Sequence, residues 1–203
     1  MKIICIGRNY AAHIEELKNE TPGNPVVFLK PDTAVLKNGA AFYYPDFSKN
    51  IHHEVELVLK ISKEGKYIQK EFAHRYFEQI GLGIDFTARD LQDQCKAKGL
   101  PWEIAKAFNG SAPLGEFLPV SELKELNNID FHLRINGEER QRGNTRLMLF
   151  DFSTLIEYVS EFFTLKKGDL IYTGTPAGVG PVHIGDHLEG FIGTQKLLDF
   201  EVK

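Results

Sequence analysis

Cysteine is scarce: the 203 residues include two, Cys5 and Cys95. They lie far apart without CxxC spacing, which argues against a disulfide framework or a thiolate metal site. This fits a reducing compartment, the cytoplasm being the simplest expectation. A basic excess is also lacking. The formal net charge is -4, which leaves nothing to neutralise a phosphate backbone, so nucleic acid is not an expected partner. No apolar run approaches the length of a bilayer span, and the stretch from Met1 to Arg8 holds too few apolar residues for a signal peptide. There is no repeat, low-complexity tract or Ser/Gly/Pro-rich linker, so one domain over residues 1–203 is expected, with a hydrophobic content of 42% sufficient for a substantial core. Neither GxGxxG nor Gly-Lys-Ser/Thr occurs, which removes the usual support for nucleotide binding.

The apolar patterns that are present are short and mostly β-like. Strands are expected at 2–6, 26–30, 52–61, 79–86, 130–136, 169–173, 187–192 and 196–202, each bounded by Gly, Pro, Asn or Asp, with Asn136-Gly137 as a hairpin turn. Helical spacing covers 9–18, 71–77, 88–97 and 153–163. In the last, Leu155, Ile156, Val159, Phe162 and Phe163 form one stripe behind a Ser153 cap. Strands outnumber helices and βαβ alternation is absent. The expected class is α+β, mainly β: a folded-over sheet or partial barrel with a few flanking helices.

In His52-His53-Glu54-Val55-Glu56-Leu57-Val58-Leu59-Lys60-Ile61, the apolar residues 55, 57, 59 and 61 share one strand face and Glu54 and Glu56 the other. Residues two apart on a strand are separated by roughly 6–7 Å, close enough to reach one cation. A solvated sheet face is the alternative. Asp85 follows in Gly81-Leu82-Gly83-Ile84-Asp85-Phe86, a strongly apolar strand in which two glycines clear space beside the carboxylate. An uncompensated buried carboxylate is costly. A cation would compensate it, as would a hydrogen-bond network or a nearby arginine. Three carboxylates without a cysteine pair point to a hard ion, Mg²⁺ or Mn²⁺, rather than structural zinc.

His13 and Glu16, three apart in a helical stretch, can hydrogen-bond as a water-activating pair or stand exposed as an ordinary surface pair. The loop Thr173-Gly174-Thr175-Pro176-Ala177-Gly178-Val179-Gly180 is either an anion-binding nest or a wide turn. Lys106 and Arg8 could each bring positive charge to a substrate or stay solvated.

Five ordered motifs, GRNYAAH at 7–13, HHEVE at 52–56, GIDFTARDLQ at 83–92, KGLPWEIAK at 98–106 and TGTPAGVGPV at 173–182, resemble the single-domain acylpyruvase branch of the fumarylacetoacetate hydrolase superfamily over nearly the whole chain. The resemblance implies a mixed β-roll, commonly homodimeric, and a metal site at Glu54, Glu56 and Asp85. It also implies a catalytic dyad of His13 and Glu16, a substrate-contacting Lys106, and ligand contacts at Gln92, Thr175 and Arg8. The implied activity is Mg²⁺-dependent chemistry on a small 2-keto acid through an enolate: acylpyruvate hydrolysis, oxaloacetate decarboxylation or keto–enol isomerisation. A non-catalytic metal or carboxylate-binding protein on the same scaffold is the competing class.

Overall fold

The computed structural model describes residues 1–17, 20–37 and 39–203. In chain order the elements are β1 (Ile3–Gly7), α1 (Ala11–Glu16), β2 (Val26–Lys30), β3 (Val35–Lys37), β4 (Ile51–His53), β5 (Val55–Ile61), β6 (Phe77–Ile84), β7 (Thr87–Ala88), α2 (Arg89–Lys98), α3 (Glu103–Lys106), β8 (Ala112–Pro119), β9 (Asp130–Ile135), β10 (Glu138–Asn144), α4 (Phe152–Phe162), β11 (Leu170–Tyr172), β12 (Gly180–Pro181), β13 (His187–Ile192) and β14 (Gln195–Glu201). They form a mixed seven-stranded sheet ordered β2-β1-β11-β5-β6-β8-β3, a four-stranded sheet β10-β9-β13-β14 and a small sheet β12-β4-β7. The mainly β, curled-sheet class expected from the sequence is the class observed.

The main core lies between the two larger sheets, where Leu57, Ile80 and Leu82 meet Leu133, Leu188 and Leu198. A second cluster of Ile3, Cys5, Val58, Leu170 and Tyr172 covers the opposite face of the seven-stranded sheet. Its central strand β5 is therefore buried on both faces, and the side carrying Glu56 is not a solvated surface. Both cysteines are buried and unpaired. Among the described residues no helix is long and apolar enough to cross a membrane.

Several local expectations change. The 52–61 strand breaks at Glu54, because β4 pairs in the small sheet and β5 in the large one. Asp85 lies just beyond β6, not within a strand. The 71–77 helix is a 3-10 segment at Lys70–Arg75, since Phe77 is drawn into β6 by pairing with Ile61. The 9–18 helix contracts to α1. Tyr10 is extended and bridges to Met148, while the expected end at Lys18 lies outside the described residues. Helix α4 is capped by Asp151, whose side chain accepts from the Thr154 amide at 2.7 Å. Ser153 already sits inside the first turn, and Phe162 leaves the buried stripe with 57% exposure. The hairpin at Asn136-Gly137 forms as expected, with both residues at positive φ.

Candidate active site

Strands β5, β6 and β11 stand close together in the seven-stranded sheet, and each connects to a strand of the small sheet. The first passage is Glu54, between β4 and β5. The second is Asp85-Phe86, between β6 and β7. The third is the loop from Thr173 to Val179, between β11 and β12. The Asp85 amide donates to the Glu54 carbonyl at 2.8 Å, which fixes the first two passages together. Glu56 lies two residues into β5, opposite Gly83. The space cleared by the glycines is already filled: a Cβ at Gly83 would fall 2.5 Å from the Tyr172 ring, and one at Gly81 2.8 Å from the Glu116 carbonyl. These glycines admit neighbouring strands rather than a ligand.

Glu54, Glu56 and Asp85 are 5%, 2% and 1% exposed, and one carboxylate oxygen from each lies within 4.8 Å of the others. Three buried cations answer them. Lys106 Nζ sits 2.8 Å from Glu54 Oε2 and 2.6 Å from Asp85 Oδ2. Arg89 Nη2 reaches Glu54 Oε1 at 2.6 Å, and Lys30 Nζ lies 2.8 Å from Asp85 Oδ1. Burial works against the charge of Glu54, but Lys106 and Arg89 outweigh it and hold its carboxyl well below the usual range. Burial likewise opposes the Lys106 ammonium, and Asp85 and Glu54 together raise its pKa above the ordinary value.

Glu56 differs. It accepts from the Gly174 amide at 2.7 Å, yet among the described residues no cationic side chain pairs with it. Burial and then the neighbouring Asp85 push its carboxyl well above the usual range. Asp85 Oδ1 faces Lys30 Nζ at 2.8 Å without an aligned hydrogen bond, while Ser111 Oγ at 3.0 Å and the carbonyls of Ser111, Phe86 and Lys106 compete for the three ammonium hydrogens. An unpaired buried carboxylate, an acceptor without a donor and three convergent oxygens fit a hard divalent cation held by Glu54, Glu56 and Asp85.

His13 is buried on α1, with Nδ1 3.3 Å from Glu16 Oε2. Burial lowers its pKa, with Glu54 and Glu16 only partly offsetting, so the imidazole is neutral near pH 7. The Glu16 carboxylate accepts from the Gly178 amide at 3.0 and 3.2 Å. The 173–179 loop thus does turn amides toward anions, and those anions are the protein's own Glu56 and Glu16. Asn9 ties this loop to the β1 end, donating to the Thr173 carbonyl at 2.8 Å. A side chain at Gly174, where φ is +102°, would strike Asn9.

His13, Arg8, Gln92, Lys106 and Thr175 line one cleft with the three carboxylates, about 430 Å³ including its open mouth. Glu16 stands behind His13. Arg8 holds a left-handed backbone, φ 62°, uncommon for a side chain of its size. Gln92 accepts from Arg89 at 2.7 Å, one helical turn apart on α2. His52 and His53 serve as structural partners: His52 bonds Asn50 and His53 bonds Gln141, each at 2.9 Å.

Residues 2–201 match the fumarylacetoacetate (FAA) hydrolase C-terminal family. The chain belongs to the fumarylacetoacetate hydrolase family. It is 43% identical over 201 residues to the mitochondrial oxaloacetate tautomerase FAHD1 of Mus musculus, covering 99% of this chain and 91% of that one. It is 42% identical over 203 residues to a mitochondrial oxaloacetate decarboxylase of Dictyostelium discoideum, covering 99% and 93%. Its structure superimposes on fumarylpyruvate hydrolase from Pseudomonas aeruginosa, solved in complex with Mn²⁺ and pyruvate, with a TM-score of 0.94 and 37% identity over 100% of this chain and 89% of that one.

Three site residues escaped sequence reasoning. Lys30 ends an apolar strand, where lysines ordinarily mark the exit to solvent. Arg89 lay inside a quoted family motif, GIDFTARDLQ, without a role. Gln141 falls in the polar run Glu138-Glu139-Arg140-Gln141-Arg142, which carries no strand alternation at all.

Proposed function

We propose that this fumarylacetoacetate hydrolase family member is a divalent-metal enzyme of small 2-keto acids, acting first on oxaloacetate by keto–enol tautomerisation and decarboxylation. The observation that carries the reading is the cluster of Glu54, Glu56 and Asp85 at the floor of a cleft that also holds His13. Relatives more than 40% identical over nearly the full chain are named for oxaloacetate. Charge supports a dianionic substrate. The three carboxylates are offset by Lys30, Lys106 and Arg89, and Arg8 also lines the cleft, so a bound divalent cation would leave the cleft net positive and suited to an anion of more than one charge.

When bound, a hard divalent cation, Mg²⁺ or Mn²⁺, would supply Lewis-acid stabilisation of the charge that develops on the substrate's keto oxygen. Glu54, Glu56 and Asp85 would hold it. Lys106, Arg8, Gln92 and Thr175 orient the substrate's anionic oxygens from the cleft walls. His13, oriented by Glu16, takes the C3 proton and passes it to the keto oxygen in tautomerisation; in decarboxylation the C3–carboxylate bond breaks to release CO₂, and His13 relays a proton from solvent water to C3.

Acylpyruvate hydrolysis is a second reading, favoured by the His13/Glu16 pair and by the likeness to a fumarylpyruvate hydrolase. There His13 takes a proton from the water that attacks the distal carbonyl, the bond from that carbonyl to C3 breaks to release a carboxylic acid, and the proton is returned to C3 to give pyruvate. We further propose one catalytic domain over residues 1–203, a homodimeric assembly and a reducing compartment. The cytoplasm is the simplest such compartment and the mitochondrial matrix the competing outcome of a fractionation test.

The deciding experiment is product analysis by NMR of the purified protein with Mg²⁺ or Mn²⁺ against oxaloacetate, acylpyruvates and dienoic keto acids. Turnover of oxaloacetate is expected. Binding of oxalate without turnover of any compound would replace the enzyme with a carboxylate-binding protein.

A further inference from the structure

Gln141 is 1% exposed, although it lies in the most polar strand of the molecule. The irregularity in β10 pairing between Glu139 and Gln141 turns it inward, as bulges commonly re-aim a side chain. Its amide makes four contacts. The oxygen accepts from the Val55 amide and faces His53 Nδ1, both at 2.9 Å. The nitrogen donates to the Pro176 carbonyl at 2.9 Å and reaches Thr175 Oγ1 at 2.8 Å.

Two of these partners are backbone groups with one possible role each. Val55 N–H can only donate and the Pro176 carbonyl can only accept, so the amide cannot be flipped. His53 Nδ1 must then carry its proton, and Thr175 Oγ1 must accept. An accepting hydroxyl still has its own hydrogen to place. Among the described residues the acceptor recorded for it, the Pro176 carbonyl, is 3.5 Å away, beyond the normal O–H···O range of about 2.5–3.0 Å. Thr175 lines the cleft.

We propose that Gln141 is a positioning residue that makes the Thr175 hydroxyl a donor toward an anionic oxygen of the substrate. The inference rests on the keto-acid reading of the cleft. The same amide grips both backbone neighbours of Glu54, so the donor is held in fixed register with the carboxylate cluster. A glutamate at position 141 would keep the contacts to Val55 and His53. Its second oxygen accepts rather than donates, which turns the Thr175 hydrogen inward and away from the ligand.

The test is calorimetric titration of oxalate into the Mg²⁺-loaded protein and its variants. Thr175→Val should weaken oxalate binding by about ten-fold or more, the cost of a hydrogen bond to a charged group. Gln141→Glu should cost a similar factor, and the double variant should bind no worse than the weaker single one. Thr175→Ser, which keeps the hydroxyl, should bind like the wild type. Mg²⁺ affinity measured without oxalate should stay within about three-fold in every variant.

If Gln141→Glu does not fold, Gln141→Met removes the donor without a charge and is combined with Thr175→Val in the same cycle. Additive losses, wild-type oxalate affinity in the Gln141 variants, or a loss confined to Mg²⁺ binding would overturn the inference alone. A wild-type protein that neither binds oxalate nor turns over any keto acid would overturn the reading of the cleft, and the inference with it.

Discussion

Two groups of metal-competent side chains occur among the described residues, and they are built from similar chemistry. Glu54, Glu56 and Asp85 converge within 4.8 Å, and so do His187, Glu189 and Asp199 on the β13–β14 hairpin. The second group is half-open to solvent. Lys196 spans it, at 3.0 Å from Glu189 and 2.5 Å from Asp199, with His187 2.6 Å from the other Asp199 oxygen. Exposure lets solvent and a flexible lysine screen that hairpin. The buried group has no such recourse. It needs Lys30, Lys106 and Arg89 from three separate elements, and Glu56 is still left without a cationic partner. Proximity of carboxylates is therefore a weak signal, and an unmet demand under burial is a strong one.

The comparison can be broken most sharply at Glu56. Replacing it with Gln removes the proposed metal ligand and the buried carboxyl that has no cationic partner among the described residues. Turnover of oxaloacetate with Mg²⁺ should fall by at least about 10³-fold, the equivalent of several kcal/mol of charge stabilisation. Steady-state assays on folded protein that retained wild-type rates would undo the assignment of the site.

A smaller but still large effect is expected for stability. Lys30→Met leaves Asp85 buried with one cation fewer and should lower the unfolding free energy by about 3–5 kcal/mol. Lys196→Met on the hairpin should leave the melting temperature unchanged within error. Urea denaturation of the two variants side by side reads the contrast, and equal losses would mean that burial does not separate the clusters.

The smallest effect is the pH dependence of the hairpin. Hydrogen bonds from Lys196 and His187 hold the Asp199 carboxyl below its usual value. A depressed pKa stabilises the fold above the unfolded value, roughly 3.9, and that contribution disappears as pH falls through the lowered pKa. Solvent screening reduces it to a shift of about a degree in Tm for Asp199→Asn at pH 7, shrinking as the pH falls below roughly 3.9. Melting curves across pH 3–7 measure it. A larger shift would place Asp199 among the buried class.

Much of this was legible in the sequence, for reasons that differ by residue. Glu54 and Glu56 announce themselves by a two-residue spacing within an apolar run, and Asp85 by standing alone among Ile84, Phe86 and two glycines. Their burial could not be read, because it depends on Cys5 and Tyr172 arriving from distant strands. Most of the longer strands were expected within a residue or two, whereas β8, whose burial does not alternate, and β10, with only Gln141, Gly143 and Asn144 turned inward, offered no period to detect and were missed. The break at Glu54 was equally hidden. Nothing in HHEVELVLKI says that its first residues pair in one sheet and the rest in another.

The small sheet has a mechanical consequence. Its strands are two or three residues long and joined by a handful of register pairs, while strand β5 of the seven-stranded sheet beside it is buried on both faces. Short, sparsely bonded elements open at lower free energy than a packed core. Glu54, Asp85 and the 173–179 loop stand where the small sheet joins the large one, so a cation and an anionic ligand bound there would fasten the two together. Amide exchange at His53, Thr87 and Gly180 should therefore track occupancy of the cleft, while exchange in β5 and β6 should not.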